Sequence, residues 1–192
     1  MPQRKVNTMN PFETLLDIEQ KCRAFAERIP RQIIAEKDWL GIGFRSSGLN
    51  FVCKMGVVSE ILRWPDITAV PAGQPWFRGM TNLRGHLLSV TDLQGFVTGT
   101  VHTEKPLSRI LVVSFEKASY GFAVDQVFGI EHFFGEEIKP AEGILNIKEY
   151  LPYLQGAFER DHQPWYILNF ASIIQTPEFY HILSVRPEAV IG

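Results

Sequence analysis

Cysteine is scarce in this chain: of 192 residues only Cys22 and Cys53 carry a thiol, with no Cys-x-x-Cys and no Cys-His grouping around either. That excludes a disulfide framework and predicts reduced thiols in a reducing compartment, both serving as core filler. Long apolar runs are also missing. No stretch approaches the ~18 apolar residues a membrane-spanning helix needs, and "MPQRKVNTMNPFETLLDIEQ" has no continuous apolar segment of the signal-peptide kind. Charge of one sign is missing too, with 19 Lys and Arg against 21 Asp and Glu, a net charge of −2 and a pI near 6.2. No global positive field is therefore available to hold nucleic acid or an anionic membrane. The expected protein is cytoplasmic, without direct membrane insertion and without a nucleic-acid partner. Its 45% hydrophobic content supplies a core.

Catalytic and metal signatures are absent as well. The five histidines, His86, His102, His132, His162 and His181, show no spacing that would put two ligands on one face. "GIGFRSSG" from Gly41 imitates a phosphate loop, but its third glycine falls two positions late and no helix signal follows. A strand and hairpin turn explains it better. There is no Gly-x-Ser-x-Gly elbow, no Walker lysine and no informative pairing of acidic residues. The sequence thus predicts no catalytic residues, no metal and no cofactor; it is not read as an enzyme.

What the chain does contain begins with a helix signal at "NPFE", where Asn10 suits the cap, Pro11 the first helical position and Glu13 the return bond to the cap backbone. Phe12, Leu15, Leu16, Cys22, Phe25, Ala26 and Ile29 then form an apolar stripe down to Pro30. Such a helix lies across a barrel surface, covers an exposed edge, or serves as a partner-binding arm. After Trp39 the texture becomes short runs rich in Phe, Val, Ile and Trp: "WLGIGF", "NFVCKM", "HLLSVTD", "RILVVSFE", "YGFAVDQV" and "WYILNF". Turn chemistry separates them, so the pattern is small barrels or a sandwich rather than alternating strands and helices.

An internal repeat sharpens this. "FVCKMGVVSEIL" from Phe51 aligns on "FAVDQVFGIEHF" from Phe122, matching Phe51 with Phe122 and Glu60 with Glu131. Downstream, Gly79 stands before Asp92 at the same 13-residue offset at which Gly156 stands before Asn169. Each pair brackets a strand, and Asp92 and Asn169 suit the N-caps of one short helix each. Two similar β-subdomains with a shared core are expected.

"WFRGMTNLRGHLLSVTDLQGF" resembles the CheW-like domain, the receptor-to-kinase coupling module of bacterial chemosensory systems. The positions carrying the likeness are Gly79, Asn82, Leu83, Arg84, Gly85, Asp92 and Leu93. It extends upstream through "GVVSEIL" and downstream through "YGFAVDQVFGI" and "LQGAFERDHQPWYILNFASII", covering roughly residues 38–178. The resemblance implies a mainly β fold of two small five-stranded SH3-like β-barrel subdomains around a shared core, to which this chain adds the N-terminal α-helix. The division implied is residues 1–37 as an extension, 38–178 as the CheW-like domain and 179–192 as a tail. The added helix and the "WLGIGF" segment resemble the PilI-like branch that serves type IV pilus twitching motility. Where relatives often carry proline and an apolar residue before the aspartate, this chain has Ser89 and Thr91, so one strand surface is expected to be more polar.

Gly79 and Gly85 are expected to bracket a turn that presents Arg84 rigidly. From the residues alone, the guanidinium either forms an internal salt bridge to Glu60 or Asp92, stays solvated, or docks on a partner's carboxylates or helix C-terminal carbonyls. The resemblance favours docking, and by the same carry-over implies receptor or kinase contact for Asn82, Gly79, Gly85, Val58 and Glu60. Val58 otherwise reads as a core strand residue and Glu60 as a solvated charge; Asp92 reads as a cap and not as an acid catalyst. The implied partners are a methyl-accepting chemoreceptor's cytoplasmic tip and the regulatory domain of a CheA-type histidine kinase, in an array associated with the membrane only through those partners. The rival is a small β-barrel module for peptide or RNA, which would need a basic face interleaved with stacking aromatics. Trp39, Trp64, Trp76 and Trp165 are available, but the dense basic run is only the short "PQRK".

Overall fold

The computed structural model describes residues 38–70, 74–101, 108–134, 138–141 and 148–179. The chain divides into Met1–Glu36 and Lys37–Gly192, and every described residue belongs to the second unit. The helix expected from Asn10, together with Cys22, His102 and His181, lies outside the described residues, as does the tail beyond Phe179.

The described residues include ten strands, two short α-helices and a single 3-10 turn, Leu151–Tyr153. Strands β1 (Trp39–Ser46), β2 (Leu49–Lys54), β3 (Val58–Arg63), β4 (Phe77–Leu83) and β5 (His86–Asp92) precede helix α1 (Leu93–Thr98). The series then repeats as β6 (Arg109–Phe115), β7 (Ala118–Val124), β8 (Gln126–Phe133), β9 (Leu154–Arg160), β10 (Gln163–Leu168) and α2 (Phe170–Ile174). The run "YGFAVDQV", expected as one strand, breaks at Asp125, whose N–H donates to the Arg45 carbonyl instead of to a ladder partner.

The strands form two five-stranded sheets with orders β8-β1-β2-β10-β9 and β3-β6-β7-β5-β4. Sequence repeat and structural barrel do not coincide. The first barrel takes β1 and β2 from the first repeat but β8, β9 and β10 from the second, and the second barrel reverses the exchange. Parallel pairing of β2 with β10 and of β5 with β7 joins the halves inside each sheet. Neither repeat can complete a sheet by itself.

Closure repeats too. The chain after β3 bridges to β4 through reciprocal hydrogen bonds between Thr68 and Met80, 2.8 and 2.9 Å. The chain after β8 bridges to β9 through Lys139 and Ala157, both 2.8 Å. Each seam thus ties the two edges of its own sheet together at one bridge.

Three apolar clusters follow from this geometry. Val52, Phe133, Phe158 and Ile167 fill the first barrel with Trp39 and Trp165. Val90, Ile110 and Ala123 fill the second with Leu62, Trp64 and Ile67. The opposite faces of both sheets meet in one larger core that includes Phe44, Phe51, Phe122, Tyr166, Phe170 and Phe179. Central strands are covered on both sides, which is why "RILVVSF" and "GFAV" read as continuous apolar runs. Edge strands alternate: β3 is half-buried and exposed in turn along Val58–Arg63. Ser89 and Thr91 are 6% and 1% exposed on the face where β5 meets β7. The expected polar strand surface is therefore interior, a correction that follows from the shared core covering this face, where the ladder partners Tyr120 and Phe122 pack.

Cys53 lies fully inside the shared core, and burial pushes its thiol from 9.0 up to about 12. Native protein at pH 8 is expected to leave Cys53 unmodified by a thiol reagent, and denatured protein to react at once; comparable rates would contradict the burial. The sign of the linkage is fixed. The folded thiol holds its proton more tightly than the unfolded one, so this contribution is complete below pH 9 and is lost as pH rises toward 12.

Candidate docking surface

The β4–β5 connection is a two-residue hairpin in which Leu83 pairs with His86 and Arg84–Gly85 forms the loop. Both loop residues have positive φ, 52° and 87°, the hairpin geometry whose twist suits the flanking strands. Glycine adopts it freely; arginine does so at a cost of about 1–2 kcal/mol. Asn82 Oδ1 accepts the Gly85 N–H at 2.8 Å and holds the loop shut. The turn therefore presents the Arg84 side chain outward, 77% exposed.

Gly79 does not bracket this turn. It sits inside β4 with φ 128°, where a Cβ would run into the Thr68 carbonyl oxygen. Its role is to let the chain after β3 approach, and Gly156, φ 140°, does the same beside Lys139.

Arg84 Nη2 donates to Glu60 Oε1 at 3.0 Å, which selects Glu60 over Asp92 between the two internal partners. Because Arg84 belongs to one edge of the sheet and Glu60 to the other, the pair crosses the seam. Exposed as it is, it contributes at most about 1 kcal/mol. Val58 and Glu60 point to opposite faces, since the bulge at Ser59 pairs Val58 with Val113 but Glu60 with Val112. Val58 consequently packs against the shared core. The structure gathers Asn82, Arg84, Gly85 and Glu60 at one corner and leaves Gly79 and Val58 apart from it.

Sequence reasoning passed over Leu87, which is 70% exposed and lies opposite Asn82 in the ladder. The signal was present: adjacent Leu87 and Leu88 cannot share a strand face, and only Leu88 is buried. Ile61, on β3 beside Glu60, is 41% exposed. Ile61 points to the opposite face from Glu60, so the corner combines a cation, an anion and the exposed apolar Leu87, a composition suited to binding protein surface.

Asp92 is wholly buried; its Oδ1 accepts the Gly95 N–H at 2.8 Å as the N-cap of α1. Asn169 Oδ1 accepts the Ala171 N–H at 3.1 Å at the start of α2. The repeat extends to the cap backbone, for Asp92 N–H donates to the Trp76 carbonyl and Asn169 N–H to that of Tyr153, both 2.8 Å. Among the described residues no group of three His, Cys, Asp or Glu side chains is placed to hold a metal. No helix among them is long and apolar enough to cross a membrane.

Two strand-exchanged five-stranded barrels over one core, with an exposed charged turn at a barrel corner, define a double-barrel β module. The chain belongs to the CheW-like domain family, whose pattern matches residues 40–178. It is 37% identical over 180 residues to the protein named PilI of Pseudomonas aeruginosa, covering 92% of this chain and 98% of that one. Over 104 residues it is 27% identical to the chemotaxis protein CheW of Bacillus subtilis, covering 54% of this chain and 67% of the relative. The scaffolding protein TtCheW of Thermoanaerobacter tengcongensis shares the fold, with a TM-score of 0.64 at 20% identity over 73% of this chain and 94% of that one.

Proposed function

We propose that this protein is a non-catalytic adaptor of the cytoplasm, coupling the cytoplasmic tip of a methyl-accepting chemoreceptor to the regulatory domain of a CheA-type histidine kinase. Its array controls type IV pilus twitching motility, a pathway assignment supported by the extent of the PilI likeness. The observation that carries the adaptor reading is the strained, exposed Arg84–Gly85 turn. The two-residue hairpin imposes this φ, as it does on Asp161 and His162 in the other barrel, and what favours recognition is that the residue so exposed is an arginine, a type enriched at interface hot spots. The corner offers a partner helix a guanidinium for its C-terminal carbonyls or carboxylates and Leu87 for its apolar face. The tryptophans speak against an RNA module: Trp39, Trp64 and Trp165 pack with the barrel interiors and Trp76 with the shared core, rather than forming an open stacking row.

The test is binding of the full-length chain to a receptor cytoplasmic fragment and to the kinase, measured by calorimetry. Wild type is expected to bind both, and Arg84→Glu to bind the receptor at least ~30-fold more weakly, as for a hot-spot residue, with an unchanged circular-dichroism spectrum. Wild type binding neither partner removes the adaptor reading. Unaltered affinity of the folded variant for both partners removes Arg84 from the site.

A further inference from the structure

We infer that the two barrels close with unequal latches: Arg160 locks the first barrel shut, whereas the second barrel opens locally at its Glu60–Arg84 seam. The inference rests on the repeat itself and is independent of who the partners are.

Glu131 on β8 is the repeat counterpart of Glu60 on β3, and each faces an arginine from the opposite edge of its sheet. The arginines differ by one position. Arg160 pairs with Gln163 and precedes the two-residue loop Asp161–His162, so its place is that of Leu83, while Arg84 stands in the loop where Asp161 stands. A strand residue projects over the barrel mouth; a loop residue projects to solvent. Arg160 Nη1 accordingly donates to Glu131 Oε2 at 2.7 Å, with the two side chains only 24% and 22% exposed. Its Nη2 donates to the His132 carbonyl, and its guanidinium lies 3.9 Å from the Phe133 ring centroid and 5.5 Å from that of Trp165. Removing it strips one ion pair, one tie to an edge-strand carbonyl and two ring contacts, and strands Glu131 without its cation.

The rest of the seam follows the same asymmetry. Lys139 Nζ donates to Glu159 Oε2 at 2.6 Å across the first seam, and the repeat counterparts of these residues are Thr68 and Asn82, which carry no charge. The first seam therefore has two ion pairs, one of them half-buried and stacked on aromatic rings. Among the described residues the second has one ion pair, that of Arg84, whose side chain is 77% in solvent, together with the Arg78 guanidinium 5.6 Å from the Trp64 ring centroid. Local opening draws on the least protected contacts, which places the movable edge at β3 and β4 and the fixed edge at β8 and β9. Coupling between ligands bound to the two barrels would then run through changes in the second barrel, with the first as its anchor.

Hydrogen exchange of the full-length protein, read on peptides spanning the two seams, tests this directly. In wild type the amides of β3 and β4 are expected to exchange at least ~10-fold faster than those of β8 and β9. Arg160→Gln is expected to speed exchange at β8 and β9 about tenfold or more, the range for loss of a charged hydrogen bond. Arg160→Lys keeps the charge opposite Glu131 but not the planar fork, and is expected to fall between. Arg84→Gln is expected to change the second seam no more than about fivefold and the first not at all. Equal exchange at both seams in wild type overturns the inference. So does wild-type protection of β8 and β9 in Arg160→Gln or, should that variant not fold, in Arg160→Lys.

Discussion

Gly79→Ala is expected to lower the unfolding free energy by about 3–5 kcal/mol, a large part of the ~5–15 kcal/mol that holds a domain of this kind. Two costs combine. An L-residue at φ 128° carries about 1–3 kcal/mol of backbone strain. The added Cβ would also collide with backbone alone, the Thr68 carbonyl and the Ala69 Cα, and relief requires breaking the reciprocal Thr68–Met80 bonds, each contributing about 1 kcal/mol. Gly156→Ala provides the internal comparison. Its Cβ would meet the Ile138 side chain first and the Lys139 carbonyl at 2.9 Å, and a side chain can turn aside where a carbonyl in a bridge cannot. Urea midpoints should therefore rank wild type above Gly156→Ala above Gly79→Ala. A midpoint for Gly79→Ala equal to wild type would show that β4 does not need close approach at this point.

Phe122→Ala is the second large effect, an expected loss of about 3–5 kcal/mol. The ring is completely buried in the shared core, 4.8 Å from Phe170 and 5.6 Å from Phe179 by ring centroids. Phe170 in turn stacks on Phe44 at 5.8 Å, so one ring on β7 of the second barrel connects through α2 to β1 of the first. The cavity is expected to weaken both barrels together. Tryptophan fluorescence and circular dichroism should shift to the same lower denaturant midpoint and remain one transition. Separate midpoints would mean that each barrel holds its own stability and that the shared core is only an interface between them.

Much of this fold can be read from local chemistry. Asp92 and Asn169 reach amides only three and two residues onward, so their capping follows from sequence neighbours. The β1–β2 and β6–β7 hairpins likewise follow from runs with turn residues between them. β3, β4, β8 and β9 were less visible because they are sheet edges: each buries one face in part and carries polar residues such as Ser59, Asn82, His132 and Glu159 on the other. The candidate corner was only half legible. "NLRG" marks the turn, but that Asn82 locks it, that Arg84 itself takes the positive φ, and that Leu87 stands exposed beside it all depend on the ladder register.

The sequence by itself determined that two copies of one β pattern are present and that each ends in a capped helix. Each of these depends on contacts within a few residues or on the period of burial, and both are written linearly. Only the tertiary structure decided that the copies exchange strands, which pairs β3 with β6 and β8 with β1 across the boundary between repeats. The physical reason is that edge pairing satisfies the same backbone groups whichever copy supplies the strand, so the choice is made by how two barrels share one core. The same choice set Glu60 against Arg84 and Glu131 against Arg160, pairs separated in sequence by a hairpin and more, and so made one seam exposed and the other locked.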